Sequence, residues 1–575
     1  MPTNSLILDA RTFLGRAWLL AKPYWRSDER HRAWLLLVTI ISLSLCIVYL
    51  LVLLNDWNRQ FFNAIQDKNK DEFYRLLIQF LGIAFAYILV AVTRSYLRQS
   101  LEMRWRIWLT RTYIGEWMSD QVYYRLEQDA RGTDNPDQRI ADDLRQFTST
   151  SLALTLDLLQ QIVTLVSFIV ILWSVSGALE FELAGSNWVI PGYMVWVAVL
   201  YAIAGSVATY HIGRPLVGLN FRQERYEADF RFSLVRMREH AEGIALYRGE
   251  SAERANLEEK VEGIRTNWWR LMRANLRLNV LTNTYAQLAV VFPFFVAAPR
   301  YFSGAIPFGT LTQISDAFGT VQGSLSWFVQ SYASLAGWKA SVDRLLTFHD
   351  AVHDATGESR EQKGVKRLAA AEREIQAVDL SLVLPNGRAL ITDATFTIKP
   401  ASRVLLRGPS GSGKSTVFRA IAGIWPYGSG SVRIPQGARV LFLPQKPYIP
   451  IGTLRAAVAY PSAPDAFDAP VIAQALKDVR LDGFAERLDE SRNWSLAMSG
   501  GEQQKLAIAR ALLAQPQWLF LDEATSSLDE PTEQHLYELL AKRLPDAGII
   551  SIAHRSQVAA FHSVTLQVSA GRIVG

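Results

Sequence analysis

From Ala33 to Leu54 the chain reads AWLLLVTIISLSLCIVYLLVLL, a run without one charged side chain. As a helix it would rise about 33 Å, enough to cross the roughly 30 Å hydrocarbon core of a bilayer. No soluble fold exposes or buries such a run cheaply, so it sets the frame for the rest. Leu76–Thr93, Leu158–Gly177 and Trp188–Tyr210 repeat the pattern. Two weaker candidates follow. Val280–Ala298 has polar residues on one face and a proline, Pro293, expected to kink it. Phe318–Trp338 is uncharged but rich in Gly, Ser and Gln. Six membrane spans are expected.

Composition agrees. Of 575 residues, half are hydrophobic and 20% charged, below the roughly 25% typical of soluble domains. The net charge of +6 is modest. Without a basic run or a nucleic-acid motif it reads as a basic cytoplasmic face, and no nucleic-acid partner is expected. The one cysteine, Cys46, rules out a disulfide within one chain. The start, MPTNSLILDARTFLGRAW, lacks an early basic residue and a hydrophobic leader core, so no cleavable signal peptide is expected.

Arginine fills the long segments Arg94–Thr150 and Arg214–Arg277, and the N-terminal region carries Lys22, Arg26, Arg30 and Arg32. Positive charge stays on the cytoplasmic side. Both long segments and both termini are therefore expected there, with the segments continuing the spans as helices. Pro136 and Gly243 mark turns at their tips, which are expected to press on a soluble motor domain. Asn279, Asn283 and Gln287 recur every four residues, as do Gln322, Ser326 and Gln330, so each set shares one helix face. Such faces avoid lipid. They either hydrogen-bond helix to helix or line a polar substrate cavity. Asp157, at the edge of the third span, is open to the same two readings.

The expected domains are a membrane domain over 1–348, a polar linker over 349–373 and an ATPase domain over 374–575. In the last, IQAVDLSLVLPNGRALITDATFTIKP reads as short strands turning at Asn386–Gly387. The run SRVLLR, the loop GPSGSGKST and the stretch VFRAIAGIW then read as strand, glycine-rich loop and helix. Gly408, Pro409, Ser410, Gly411, Ser412, Gly413, Lys414, Ser415 and Thr416 make the phosphate-binding loop. Its N–H groups would surround phosphate oxygens, Lys414 would reach the outer phosphates, and the Ser415 hydroxyl would ligate Mg²⁺. QWLFLDEATSSLD ends an apolar strand at Asp522, a second Mg²⁺ ligand, and Glu523, placed to polarise the attacking water. Gln445 lies in FLPQKP, Ser499, Gly500 and Gly501 open a helix in MSGGEQQKLAIARALL, and His554 follows an apolar strand in SIAHR.

Together these residues resemble the nucleotide-binding domain of ABC transporters: Walker A GPSGSGKS, the Q-loop at Gln445, the signature MSGGE, Walker B LFLDE, the D-loop SSLD and the H-loop at His554. The resemblance implies an ABC exporter-like six-helix membrane domain joined to an α/β P-loop ATPase. It implies ATP and Mg²⁺ as cofactors, with Gln445 joining Ser415 and Asp522 at the metal. It also implies a dimer, simplest as a homodimer. There Ser499, Gly500, Gly501 and Glu502 contact ATP held by the partner, His554 touches the γ-phosphate on its own side, and Asp529 lies across the interface. Met498 and Glu502 stand where the common signature has Leu and Gln, and the usual adenine-stacking aromatic is replaced near Leu384.

AGIWPYGSGSVRIP, FLPQKPYIPIGTLRAAVAYP and NPDQRIADDLRQF are similar to subfamily D, the peroxisomal fatty-acyl transporters and their bacterial relatives, BacA/SbmA-like proteins fused to an ATPase among them. That likeness implies uptake of peptides and other hydrophilic molecules across a bacterial inner membrane. A lipid or acyl-CoA translocase, and a regulator that gates a channel without transporting, are the competing readings. The layout itself resembles exporters.

Overall fold

The computed structural model describes residues 13–128, 135–183, 186–360 and 364–574. Its apolar runs lie in long helices: α1 (Arg30–Gln66), α2 (Lys70–Met118), α3 (Leu144–Ser176), α4 (Tyr193–Glu239), α5 (Glu250–Phe302) and α6 (Phe308–Gln330). α2 has 49 residues and α5 has 53. At 1.5 Å per residue they run about 74 and 80 Å, more than twice the hydrocarbon thickness. The arginine-rich segments are thus helical continuations of the spans, as their mixed charge and absence of glycine clusters implied. Pro293 lies inside α5, which stays helical through it to Phe302.

Among the described residues, α1 to α5 are the helices long and apolar enough to cross a membrane by length and composition. The sixth expected span, Phe318–Trp338, is divided: α6 ends at Gln330 and α7 (Tyr332–Arg360) begins after Ser331. Ser, Thr and Gln lower its hydropathy, yet Ile314, Ala317, Phe318 and Val321 are fully buried. α6 packs against α1, α3, α4 and α5. Its first N–H groups find partners on α1: Phe308 N donates to Gln66 Oε1 at 2.7 Å and Gly309 N to Asn63 Oδ1 at 2.8 Å. This is a cap supplied in trans for otherwise orphaned donors.

The loop expected between the third and fourth spans, together with Trp188–Pro191 of the expected fourth span, forms an antiparallel hairpin of β1 (Ala178–Leu183) and β2 (Ser186–Pro191), so the fourth helix starts only at Tyr193. At the first tip, Pro136 is the first helical residue of a short turn leading through a π-helical stretch, Arg139–Asp143, into α3. At the second, Gly243 sits inside a short helix, Ala241–Tyr247. The turn falls instead at Arg248, held at φ 53°, and Gly249. The buried carboxylate of Asp143 ties α3 to α7. It accepts from Ser341 Oγ at 2.9 Å, from Arg344 Nε at 2.9 Å and from Arg139 at 2.8 Å.

The described residues of 1–114 and 134–349 form one compact unit, and those of 115–133 and 350–575 the other. The short helix Val122–Gln128, at the end of the first long cytoplasmic segment, therefore belongs with the ATPase. Residues 349–373, expected as a linker, hold the end of α7 and β3 (Lys366–Ala370); 361–363 lie outside the described residues.

Among the described residues, the ATPase unit has two large sheets beside a short antiparallel pairing of Gly452–Thr453 with Ser491–Arg492. β3, β7 (Gly428–Pro435), β4 (Ile375–Val383) and β5 (Ala389–Ile398) form one, with β4 and β5 joined through the Asn386–Gly387 turn. The other has the order β12 (Arg572–Val574), β11 (Val564–Ser569), β6 (Arg403–Arg407), β10 (Gly548–Ile552), β9 (Trp518–Asp522), β8 (Val440–Leu443). All its pairings but β11–β12 are parallel. Strands covered on both faces read as continuous apolar runs. In β9, Trp518 and Phe520 enter one core with Phe418 and Phe442, while Leu519 and Leu521 enter the other. Alternate side chains thus hold helices on both sides of the sheet.

Candidate functional site

Parallel register brings the motifs to one edge. Asp522 pairs with Ile552 across β9–β10, and Ile552 with Leu406 across β10–β6. The loops after β6, β9 and β10 therefore leave at the same level, where ligands of open α/β sheets bind. The phosphate loop runs from β6 into α8 (Lys414–Ala422). Gly413 has φ 97°, which a residue with a Cβ adopts only with strain. Lys414 Nζ donates to the carbonyls of Gly408 at 2.9 Å and Pro409 at 2.8 Å, closing the loop on itself. Ser412 Oγ is buried with no hydrogen-bond partner among the described residues.

The other motif residues meet around Glu523. Its carboxylate accepts from Gln445 Nε2 at 3.0 Å and lies 3.1 Å from His554 Nε2. Its backbone is left-handed, φ 49°, a conformation that costs a non-glycine residue about 1–3 kcal/mol. Its N–H donates to Ile552 O at 3.0 Å, which fixes the turn. Beside it, Ser415 Oγ donates to Asp522 Oδ1 at 2.9 Å. Burial pushes the Asp522 carboxyl above the ordinary carboxylate range, against that hydrogen bond. Burial likewise pulls the Lys414 ammonium down, opposed by Glu523 and Asp522.

Gln504, 2% exposed, is the hub that motif reading passed over. It donates to Gln445 O at 3.1 Å and Ser526 Oγ at 3.2 Å and accepts from Ser527 N at 2.9 Å. One buried amide thus binds the Q-loop to the turn after Walker B. Its helix, α9 (Gly500–Ala514), begins with a capping box. Ser499 Oγ accepts from Glu502 N, and Glu502 Oε2 accepts from Ser499 N at 2.8 Å. The S-x-x-E spacing could have shown this, and it explains Glu502 locally. Arg510 of the same helix is buried against the carbonyls of Tyr448 at 2.8 Å and Ala457 at 2.9 Å, and burial lowers it to about 10. Asp529 is the N-cap residue of α10 (Glu530–Arg543). Met498 is buried, and Leu384 sits in the β4–β5 turn, where its N–H donates to Arg388 O at 2.8 Å. In the same unit, the Tyr124 hydroxyl of the short helix Val122–Gln128 is pushed up by burial and drawn back by Arg419 of α8.

The membrane unit holds a cavity of about 720 Å³ among α4, α5 and α6. Asn283, Gln322, Ser326 and Gln330 line it; Asn279 and Gln287 are exposed on α5 and are not among its lining residues. Gln322 Nε2 donates to Tyr285 Oη at 3.2 Å and Ser326 Oγ at 3.0 Å. Tyr285 stacks on Tyr201 at 4.5 Å, and each hydroxyl donates to the other's carbonyl, at 3.0 and 2.7 Å. Gly205 permits this, since a Cβ there would meet the Tyr285 ring at 2.3 Å. Sequence spacing found the polar face but not the tyrosine pair. Asp157 is paired with Arg94 at 3.4 Å.

A helical membrane unit joined to a sheet whose one edge gathers a phosphate loop, an Asp-Glu pair, a glutamine and a histidine defines a membrane-embedded ATPase half-transporter. Family models match both parts: ABC transporter transmembrane region 2 over residues 20–302 and ABC transporter over 391–526. The chain belongs to the ABC transporter family. It is 34% identical to the inner membrane ABC transporter ATP-binding protein YddA of Escherichia coli, over 95% of this chain and 96% of that one. It is 33% identical to ABC transporter D family member 2, chloroplastic, of Arabidopsis thaliana, over 98% and 87%. A bacterial Atm1-family ABC exporter solved with ATP bound superposes with a TM-score of 0.74 over 95% of both chains; at 18% identity it speaks for the fold. The protein is a multi-pass membrane ATPase that binds ATP and couples its hydrolysis to transport.

Proposed function

We propose that two copies of this chain, in a bacterial inner membrane with termini in the cytoplasm, take up peptides and other hydrophilic solutes by alternating access. The observation that carries the substrate class is the 720 Å³ cavity with Asn283, Gln322, Ser326 and Gln330 in its wall. Amide and hydroxyl groups exchange hydrogen bonds with a peptide backbone and offer little to an acyl chain.

In this reading the loop from Gly408 to Thr416 cradles the ATP phosphates, with the unpartnered Ser412 hydroxyl among the donors and Lys414 turning from its loop carbonyls to the outer phosphates. The donors Ser415 and Asp522 fit a hard cation such as Mg²⁺, which when bound neutralises developing phosphate charge. Gln445, bonded to Glu523 one residue on from Asp522, joins them in this reading. Glu523 takes the proton of the attacking water, and His554 and Gln445, already on its carboxylate, hold it in line. Ser499, Gly500 and Gly501 present the N-terminus of α9 to the partner's ATP, and Asp529 faces the partner. Closing of the two copies depends on ATP favouring the closed state over the open one. Tyr124 beside Arg419 supports a route from α8 to the first cytoplasmic tip.

A lipid or acyl-CoA translocase is the second reading. The D-family relatives and the apolar wall residues Ala286, Ala289, Val290 and Val329 favour it. A panel of labelled peptides, antibiotics, vitamins and acyl-CoA, tested for ATP-dependent accumulation in proteoliposomes, separates the two. Accumulation of peptides supports the first reading, and movement of acyl-CoA alone overturns it.

A further inference from the structure

Asp316 stands in the cavity wall in an unusual position for a carboxylate. It lies eight residues into α6, which starts at Phe308, level with Asn55, the residue that follows the charge-free run Ala33–Leu54, and so at the edge of the first span. Charged groups beside apolar spans avoid lipid and face a lumen or a partner. Asp157, at the edge of the third span, has Arg94, and Asp56, beside Asn55, has Arg59. Asp316 makes no ion pair among the described residues. Its Oδ2 accepts from Asn55 Nδ2 at 2.5 Å. Asn55 is 1% exposed and is itself fixed on α1, its Oδ1 accepting from Gln313 Nε2 at 3.1 Å. A buried amide pair thus aims a carboxylate that is itself exposed toward the cavity.

We propose that Asp316 is a substrate-recognition residue that selects solutes bringing a cationic group, such as an amine or guanidinium, into the cavity. Asn55 is its positioning residue. The inference rests on the peptide reading above and narrows it. A cation would pair with a cavity-wall carboxylate that has no ion pair among the described residues, whereas the phosphates of an acyl-CoA would be repelled.

The test uses the full chain and three tritiated peptides of one backbone carrying lysine, acetyl-lysine or glutamate. Binding is measured in nanodiscs without nucleotide, and accumulation in proteoliposomes with ATP. The wild type should bind the lysine peptide about ten- to hundredfold more tightly than the acetylated one, the range of a charge-assisted hydrogen bond. Asp316→Asn, which keeps an acceptor for Asn55, should reduce that ratio to about twofold or less, while Asp316→Glu should retain a clear preference. Asn55→Ala should lower the ratio without abolishing it. A preference that survives Asp316→Asn, or a wild type that binds the three alike or not at all, overturns the proposal. Lysine-selective binding with no accumulation of any probe upholds the Asp316 assignment and sinks peptide uptake. Accumulation without charge preference does the reverse.

Discussion

The ATPase unit and the membrane unit spend their polar groups in opposite ways. Around Glu523 the side chains of Gln445, Gln504, Ser526 and His554 are joined into one network by hydrogen bonds of 3.0 to 3.2 Å. In the cavity, Asn283, Gln330 and Asp316 are open, and the fixed elements, the Tyr201–Tyr285 pair and the Asn55–Gln313 pair, stand behind them. Water activation needs a preorganised set of donors and acceptors. A path that must accept, release and change its opening needs polar groups free to change partners. The difference teaches where substitution should stop chemistry and where it should redirect it.

Four substitutions and one titration test that contrast, beginning with the largest effect. Glu523→Gln should still bind ATP, while hydrolysis falls about 10²- to 10⁴-fold, the span of a general base; nucleotide binding and phosphate release measured side by side decide it. In the membrane unit, Asp143→Ala leaves Arg139 and Arg344 without their carboxylate. Breaking a buried pair costs about 3–5 kcal/mol, but the Arg344 side chain is 40% exposed and can turn to water. The lower end, about 3 kcal/mol, is expected as a lowered melting temperature in detergent. Gln504→Leu strands the Ser527 N–H and the Gln445 carbonyl, each worth about 1–3 kcal/mol when left unmade. Hydrolysis should fall with it, and unchanged turnover would show that the hub is merely structural.

Gly205→Val drives a side chain into Tyr285, an overpacking worth about 1–3 kcal/mol. It should alter the solute dependence of transport more than the affinity for ATP; equal effects on both would break the contrast. The smallest effect is a pH slope. His562 is half-buried with its Nδ1–H donating to Val558 O at 2.8 Å and Nε2 accepting from Ser551 Oγ at 2.9 Å, and burial holds it below the ordinary histidine value. The unfolded chain therefore takes up the proton first. The stabilisation is whole above about pH 6.5 and is lost as pH falls through the folded value. The melting temperature of the ATPase unit should drop more steeply from pH 7 to 5 in the wild type than in His562→Gln.

Legibility in the sequence followed the same divide. Walker A and the Asp522–Glu523 pair are short, contiguous strings whose chemistry depends on local backbone, so their places at one sheet edge were foreseeable, as was the helix start at the signature. Gln504 was missed because its partners lie 59 and 22 residues away and it looks like any helical glutamine. In the membrane unit, four-residue spacing placed Asn283, Gln322, Ser326 and Gln330 on the right faces. It gave no phase for Asn279 and Gln287, which share the spacing but not the wall. Asp316 went unremarked because the expected sixth span began at Phe318. The helix starts ten residues earlier, at Phe308, where donors from α6 reach Asn63 and Gln66 of α1. No local signal announces a cap that arrives from another helix.

Coupling between the two units is tested most directly by measuring ATP hydrolysis and accumulation of a lysine peptide in the same sealed proteoliposomes, for wild type and for Glu523→Gln. A gradient that forms in the wild type and disappears together with hydrolysis in Glu523→Gln is the predicted result. ATP consumed in the wild type with no solute gradient, or a gradient that survives Glu523→Gln, would contradict it.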